Sequence, residues 1–280
     1  MVVGLVGALV GYLLTTSLLV LYHLRGASGV SDDSKEYLKL GRGELAEGPF
    51  GRRWLAPLLC GEDMDKWKAL TAASLVASGT VVGALWGWEA AILFNGLTAL
   101  ARIPMVIPVL VDAPSFLFAL LSTVAPFPLN VVCAIVSGAF KETGPVFAAA
   151  WSLNPLLLLG LLGVDWFHRK APSEKPWLGP PHTLPALAIP FHPWLYMDAM
   201  LLPWGAMALL VPVGLGLGAP GAGAALLSLG LGYGSLLLAV DRARLYEWAA
   251  PALFPVALAC PSWLIYPLLL PHMMNTSKEV

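Results

Sequence analysis

The sequence predicts an all-α, polytopic helical membrane protein with about nine apolar segments, some short or broken by proline. Three observations carry that expectation. Hydrophobic residues make up 58% of the 280-residue chain and charged residues only 12%, against roughly 45–50% apolar and 25% charged in soluble domains. The apolar residues fall in long runs rather than being dispersed. Those runs lack the period-two alternation of a barrel strand, and only a helix or a closed barrel satisfies its backbone in hydrocarbon.

Taken in order, the segments are 2–22, 67–88, 90–111, 113–125, 128–140, 144–163, 193–213, 222–240 and 249–270. The first has no Lys or Arg ahead of it and outruns an ordinary signal-peptide core, so it reads as a retained membrane helix. The pair meeting at Pro126-Phe127-Pro128 is too short for two untilted crossings, which suggests tilt or a re-entrant hairpin. Prolines 104, 108, 114, 126, 128, 145 and 155 make the middle of the chain irregular. Irregular backbone at membrane depth is tolerated where it is buried or lines a cavity, so a cavity is expected there. The chain 1–280 reads as a single integral membrane domain, with a polar first loop at 23–66 and a Pro-rich connecting loop at 164–192. Gly214 to Gly223 reads as a turn with small residues for close helix packing.

A net charge of −1 and the lack of a basic tail argue against a nucleic-acid partner. The partners expected are membrane lipids. Cys60, Cys133 and Cys260 are widely spaced and suit neither a disulfide framework nor a zinc site. None of the five histidines forms a metal-binding pair, and His168, His182, His192 and His272 read as interface or loop residues.

The charges concentrate in the first loop. Ser31 suits an N-cap, and Asp32, Asp33 and Glu36 suit the first turn of a helix, where the dipole favours acids. Tyr37, Leu38, Leu40 and Leu45 give that segment an apolar side, so it can lie in the membrane interface. Trp54, Leu55, Leu58 and Leu59 return the loop to the membrane surface. Functionally, Asp33 with its neighbour Asp32 can supply a general base, or a carboxylate for a divalent metal, a choice the sequence leaves open. Arg52 and Arg53 can grip an anionic group such as a lipid phosphate. The competing account is an interfacial helix whose charges are only solvated.

A second set of ionisable residues lies between apolar segments, where charges normally face a partner or a wet cavity. Asp112 precedes Ala113-Pro114-Ser115-Phe116, and Lys141-Glu142 precedes Thr143-Gly144-Pro145. The segment order brings Asp112, Lys141, Glu142 and the first loop to one face of the membrane, as a shared site requires. The structural alternatives are an N-cap for Asp112 and a helix-end pair for Lys141-Glu142. Glu89, Arg102 and Asp198 read as snorkelling or capping residues, and Asp241 with Arg244 as a helical clamp. Lysines and arginines of the first loop favour placing it in the cytoplasm, whereas those of the loops around 169–175 and 242–244 favour the opposite orientation.

Several motifs occur in order along the chain: Asp33-x-x-x-Tyr37, Pro49-Phe50-x-x-Arg53-x-Leu55-x-Pro57-Leu58, Asp112-Ala113-Pro114-Ser115-Phe116, Lys141-Glu142-Thr143, and Asp241 with Arg244 and Pro251. This order resembles bacterial polytopic proteins of the GT-C glycosyltransferase superfamily. The resemblance implies a multi-pass enzyme of the cytoplasmic membrane, serving the cell envelope. Its first loop would face away from the cytoplasm and it would take sugar from a polyprenyl-phosphate donor. It implies Asp33 as acid/base, with Asp32 beside it, and Tyr37, Arg52, Arg53, Asp112, Lys141 and Glu142 as substrate-binding residues. The chain departs from the pattern in its short length and in carrying Asp32-Asp33 where such loops sometimes have Asp-x-Asp. A transporter or lipid-linked flippase, depending on Lys141 and Glu142, and a non-enzymatic membrane scaffold are the rival classes.

Overall fold

A computed structural model describes residues 2–24, 29–47, 50–167, 204–236 and 247–273, and among them the ordered elements are helical with no strand. The protein is a helical membrane protein. Helices α1 (Val2–Leu24) and α4 (Met64–Trp86) are long and apolar enough to cross a bilayer, and the bent pair Trp88–Asn95 with Leu100–Val106 would make a third span if it counts as one. Between the two long helices lie α2 (Asp32–Gly41), a short 3-10 turn (Phe50–Arg52) and α3 (Leu55–Cys60).

The remaining apolar segments are more divided than the sequence suggests. Segment 90–111 becomes α5 (Trp88–Asn95), a π-helical turn (Thr98–Arg102) and a one-turn α6 (Ile103–Val106), after which the backbone is unwound up to Asp112. Pro108 suits the unwinding that follows α6, since it cannot donate the i to i−4 bond and disfavours a helical residue before it. Segment 144–163 becomes α9 (Thr143–Ser152) and a nine-residue 3-10 helix (Pro155–Gly163), separated by Leu153 in the left-handed region. Segment 249–270 becomes α12 (Ala250–Leu258) and α13 (Ser262–Met273), divided before Pro261. Helices α10 (Met207–Gly216) and α11 (Ala222–Leu236) lie in the two segments between. Residues 168–192 of the Pro-rich connecting loop, the Asp241/Arg244 set, Asp198 and three of the histidines, His168, His182 and His192, fall outside the described residues.

The described residues group into two compact units. The first takes those within Met1–Thr15, Gly79–Arg102 and Leu178–Val280; the second takes those within Thr16–Ser78 and Ile103–Trp177. In the first, glycines bring two backbones together: a Cβ on Gly7 would lie 2.0 Å from the Gly83 carbonyl oxygen, and one on Gly11 would lie 2.1 Å from that of Gly79. Small residues at four-residue spacing permit this close approach, which suits helices packing where no hydrophobic effect drives them together. One turn further along α1, the Thr15 hydroxyl sits 2.8 Å from Asn95 Oδ1. Helix α12 packs against α5, α10 and α11, and α13 against α5.

The second unit contains the charged residues of interest. Helices α7 (Asp112–Val124) and α8 (Leu129–Phe140) form an antiparallel hairpin whose tip is Pro126-Phe127-Pro128, and Ser115 hydrogen-bonds to Ser137 across it. At ~1.5 Å rise per residue each arm is about 20 Å long, too short to cross the hydrocarbon upright. Against this hairpin pack α9 and the 3-10 helix Pro155–Gly163, with Gly160 close to the Ala134 carbonyl and Gly163 close to that of Ile135. A buried cluster of Tyr37, Phe50, Trp67, Val109, Val111 and Phe140 joins the first loop to these helices.

Candidate functional site

Helix α2 begins where its sequence says it should. Ser31 is the N-cap, its hydroxyl accepting from the Ser34 amide at 3.2 Å while Ser34 Oγ accepts from the Ser31 amide. That reciprocal pair satisfies two of the donors a helix start leaves open. Asp32 then faces outward and pairs with Lys35 at 2.9 Å. Glu36 turns inward, accepting from Lys39 at 2.6 Å and from the Glu47 amide at 2.7 Å, so it closes the loop upon itself. Tyr37, on the inner face, is buried, with its ring edge-on to Phe50 at 5.3 Å.

The loop is fastened to the unwound stretch between α6 and α7. There the backbone carbonyls lack helical partners, and donors arrive from elsewhere. The Gly29 amide donates to Val106 O at 3.1 Å, Thr71 Oγ1 to Pro108 O at 2.7 Å, and Ser34 Oγ to Val109 O at 3.0 Å. This fixes Asp112, the first residue of α7, beneath the loop.

Two ion pairs occupy this junction. Arg53 grips Glu142 with both ends of its fork, Nε to Oε2 at 3.0 Å and Nη2 to Oε1 at 2.7 Å, and its Nη1 donates to the Tyr37 hydroxyl at 2.9 Å. Lys141 Nζ donates to Asp112 Oδ1 at 2.5 Å, with side-chain exposures of only 5% and 1%. Asp33 and Asp112 both lie near enough to Tyr37 to bear on its ionisation. Burial raises the Tyr37 phenol well above its ordinary value; Arg53 opposes that rise, and the two aspartates add to it. Tyr37 is therefore a neutral hydrogen-bonding group at any physiological pH.

The sequence-predicted residues thus separate. Tyr37, Arg53, Asp112, Lys141 and Glu142 converge, with Asp33 at the half-buried margin. Asp32 stands apart on the outer face. Arg52 diverges from Arg53: its guanidinium lies over the Trp166 ring, 5.2 Å from the centroid, beside exposed Phe167. The anion that Arg53 holds belongs to its own chain. Asp112 is not an N-cap, since Val111 occupies that position and no side-chain cap bond is made. Lys141 and Glu142 do not form a helix-end pair either; each reaches a different partner.

A divalent metal shared by Asp32 and Asp33 does not fit this donor set. The two carboxylates serve different surroundings, and no group of three His, Cys, Asp or Glu side chains among the described residues could hold an ion. His272 and Glu247, both in the first unit, are buried residues whose roles the sequence does not reveal. His272 bridges Leu93 O at 2.7 Å and the Ala206 amide at 3.1 Å, a structural tie rather than an interface or loop position. Glu247 accepts from the Leu100 amide at 2.9 Å, and Arg102 donates to Asn95 O and Met273 O.

The Arg53–Glu142 pair gives a pH dependence. Burial would raise the Glu142 carboxyl, but Arg53, its hydrogen bonds and nearby Lys141 outweigh that and hold it down at about 2, against an ordinary 4.5. A depressed carboxyl stabilises the fold fully above its unfolded value, and that contribution is lost as pH falls from about 4.5 through about 2. Acid titration of thermal stability is expected to show this loss, roughly 3 kcal/mol in scale, and Glu142→Gln is expected to flatten it. An unchanged acid limb in that variant would contradict the assignment.

No family model, curated protein or solved structure matches this chain.

Proposed function

We propose that this protein is a multi-pass transferase of the cytoplasmic membrane that moves a sugar from a polyprenyl-phosphate donor to an extracytoplasmic acceptor, with its site at the first loop. One observation carries the reading: Asp33, Tyr37, Arg53, Asp112, Lys141 and Glu142, drawn from three separate segments, gather at one junction, and half-exposed Arg52 stands directly before Arg53 in the chain with no carboxylate partner in a salt bridge among the described residues. Asp33 acts as general base, taking the proton of the acceptor hydroxyl as its oxygen bonds to the anomeric carbon. The bond from that carbon to the phosphate oxygen breaks, and the lipid phosphate leaves with the electron pair, stabilised by Arg52. Arg53, Glu142, Lys141 and Asp112 neutralise one another, so their part is to hold Tyr37 and the loop in place rather than to contact substrate.

Transfer of radiolabelled sugar from a panel of polyprenyl-phosphate donors in proteoliposomes tests this. Asp33→Asn is expected to lower the rate by about 100-fold or more at unchanged thermal stability, and Arg52→Gln is expected to raise KM for the donor. Wild-type protein inactive across the panel would remove the enzyme reading. The buried Lys141–Asp112 pair would then favour a transporter, where intramembrane charges mark the substrate path.

A further inference from the structure

A second feature of the same unit lies beside the charged junction, and none of the residues of the two ion pairs lines it. Two of the prolines expected to border a cavity, Pro104 and Pro108, line a groove of about 390 Å3 against the end of α1 and the start of α4. That volume falls within the ~300–1,000 Å3 usual for small-ligand sites. Its polar and apolar parts are segregated. Leu19, Ala72, Met105 and Pro108 make the walls apolar, and the Thr71 hydroxyl is committed to Pro108 O. His23 and Lys68 are the polar groups, one turn beyond Leu19 on α1 and one turn before Ala72 on α4.

Helix α1 ends and α4 begins at this place, so both groups sit at one boundary of the membrane while the walls run inward. Lys68 makes no salt bridge among the described residues, although Asp65 stands one turn earlier on α4, exposed. Val20, which lines the groove, belongs to the exposed apolar surface of α1 that also carries Leu9 and Leu13. An occupant therefore enters from the lipid side, needs an aliphatic tail, and gains from negative charge at the boundary.

The geometry points to a binding site for an anionic phospholipid of the bilayer, one acyl chain lying in the groove and the phosphate at Lys68 and His23. A cation at the membrane surface favours an anionic headgroup by roughly fivefold, and the tail supplies the remainder through apolar burial. The site is independent of the transferase reading, because neither Asp33 nor the paired charges border it.

The test uses the full chain in nanodiscs of equal phosphatidylglycerol and phosphatidylcholine, released into the gas phase for native mass spectrometry. Wild type is expected to retain phosphatidylglycerol in preference to phosphatidylcholine. Lys68→Gln combined with His23→Gln is expected to reduce that preference roughly fivefold or more. Both side chains are solvent-accessible, so the fold should survive, as the thermal midpoint will report. Ala72→Phe fills the groove and is expected to abolish retention of either lipid. Equal retention of the two lipids, retention indifferent to all three substitutions, or displacement of phosphatidylglycerol by a polyprenyl phosphate at equal concentration would each overturn the assignment.

Discussion

Lys141→Ala is expected to destabilise the protein by about 3–5 kcal/mol, enough to abolish most folded protein at growth temperature. The Asp112 carboxylate it leaves behind is 1% exposed, and the ammonium at 2.5 Å is the cation that offsets its desolvation. Removing one member of a buried pair costs far more than the pair contributes, because the survivor keeps its desolvation penalty. The double variant Asp112→Asn with Lys141→Met, which removes both charges at similar volume, is expected to recover most of the loss. Thermal unfolding in detergent of wild type, Asp112→Asn, Lys141→Met and the double variant gives the coupling directly. If the single and double variants lose equal stability, the pair is not what holds α7 to the end of α8.

The second large effect concerns Arg53. Arg53→Ala removes three hydrogen bonds at once, two to Glu142 and one to Tyr37, and leaves Glu142 partly buried without its cation. The expected cost is again ~3–5 kcal/mol. Arg53→Lys should retain the charge and lose the fork, since an ammonium cannot meet both carboxylate oxygens in plane while reaching the phenol. It is expected to recover under half of the loss. Tyr37→Phe is the control: it deletes the neutral partner alone, and about 1 kcal/mol is the scale of one such bond. An Arg53→Lys variant as stable as wild type would show that charge alone matters and that the bidentate geometry is incidental.

Part of this site was legible in the sequence. The start of α2 at Ser31 followed from capping chemistry, and the order of apolar segments was enough to bring Asp112, Lys141, Glu142 and the first loop together. The pairing was not legible, because it depends on backbone angles at single residues. Lys141 ends α8 in an extended conformation and Glu142 opens α9 in a helical one, so adjacent side chains leave the backbone in different directions. Spacing rules describe neighbours on one helix, and here a helix boundary falls between them. The same holds for Arg52 and Arg53, where the 3-10 turn ends between the two. Ser34, Glu36 and His272 make bonds that are not legible for a different reason. Each bonds a backbone group whose availability arises from a turn or a break elsewhere in the chain, and no side-chain pattern announces a free carbonyl. The division of segments 90–111, 144–163 and 249–270 follows from prolines and a left-handed leucine that hydropathy averages over.

The unwound stretch before α7 has a bearing on how the first loop moves. Its carbonyls at 106, 108 and 109 are held by donors from three places: the linker after α1, helix α4 and helix α2. The loop therefore has no private opening mode. To swing outward, α2 must release the Val109 carbonyl three positions before Asp112, and the disturbance reaches the carboxylate that Lys141 neutralises. Loop displacement and loss of charge balance in the interior are consequently one cooperative event. A substrate that drew the loop away would meet the combined resistance of both.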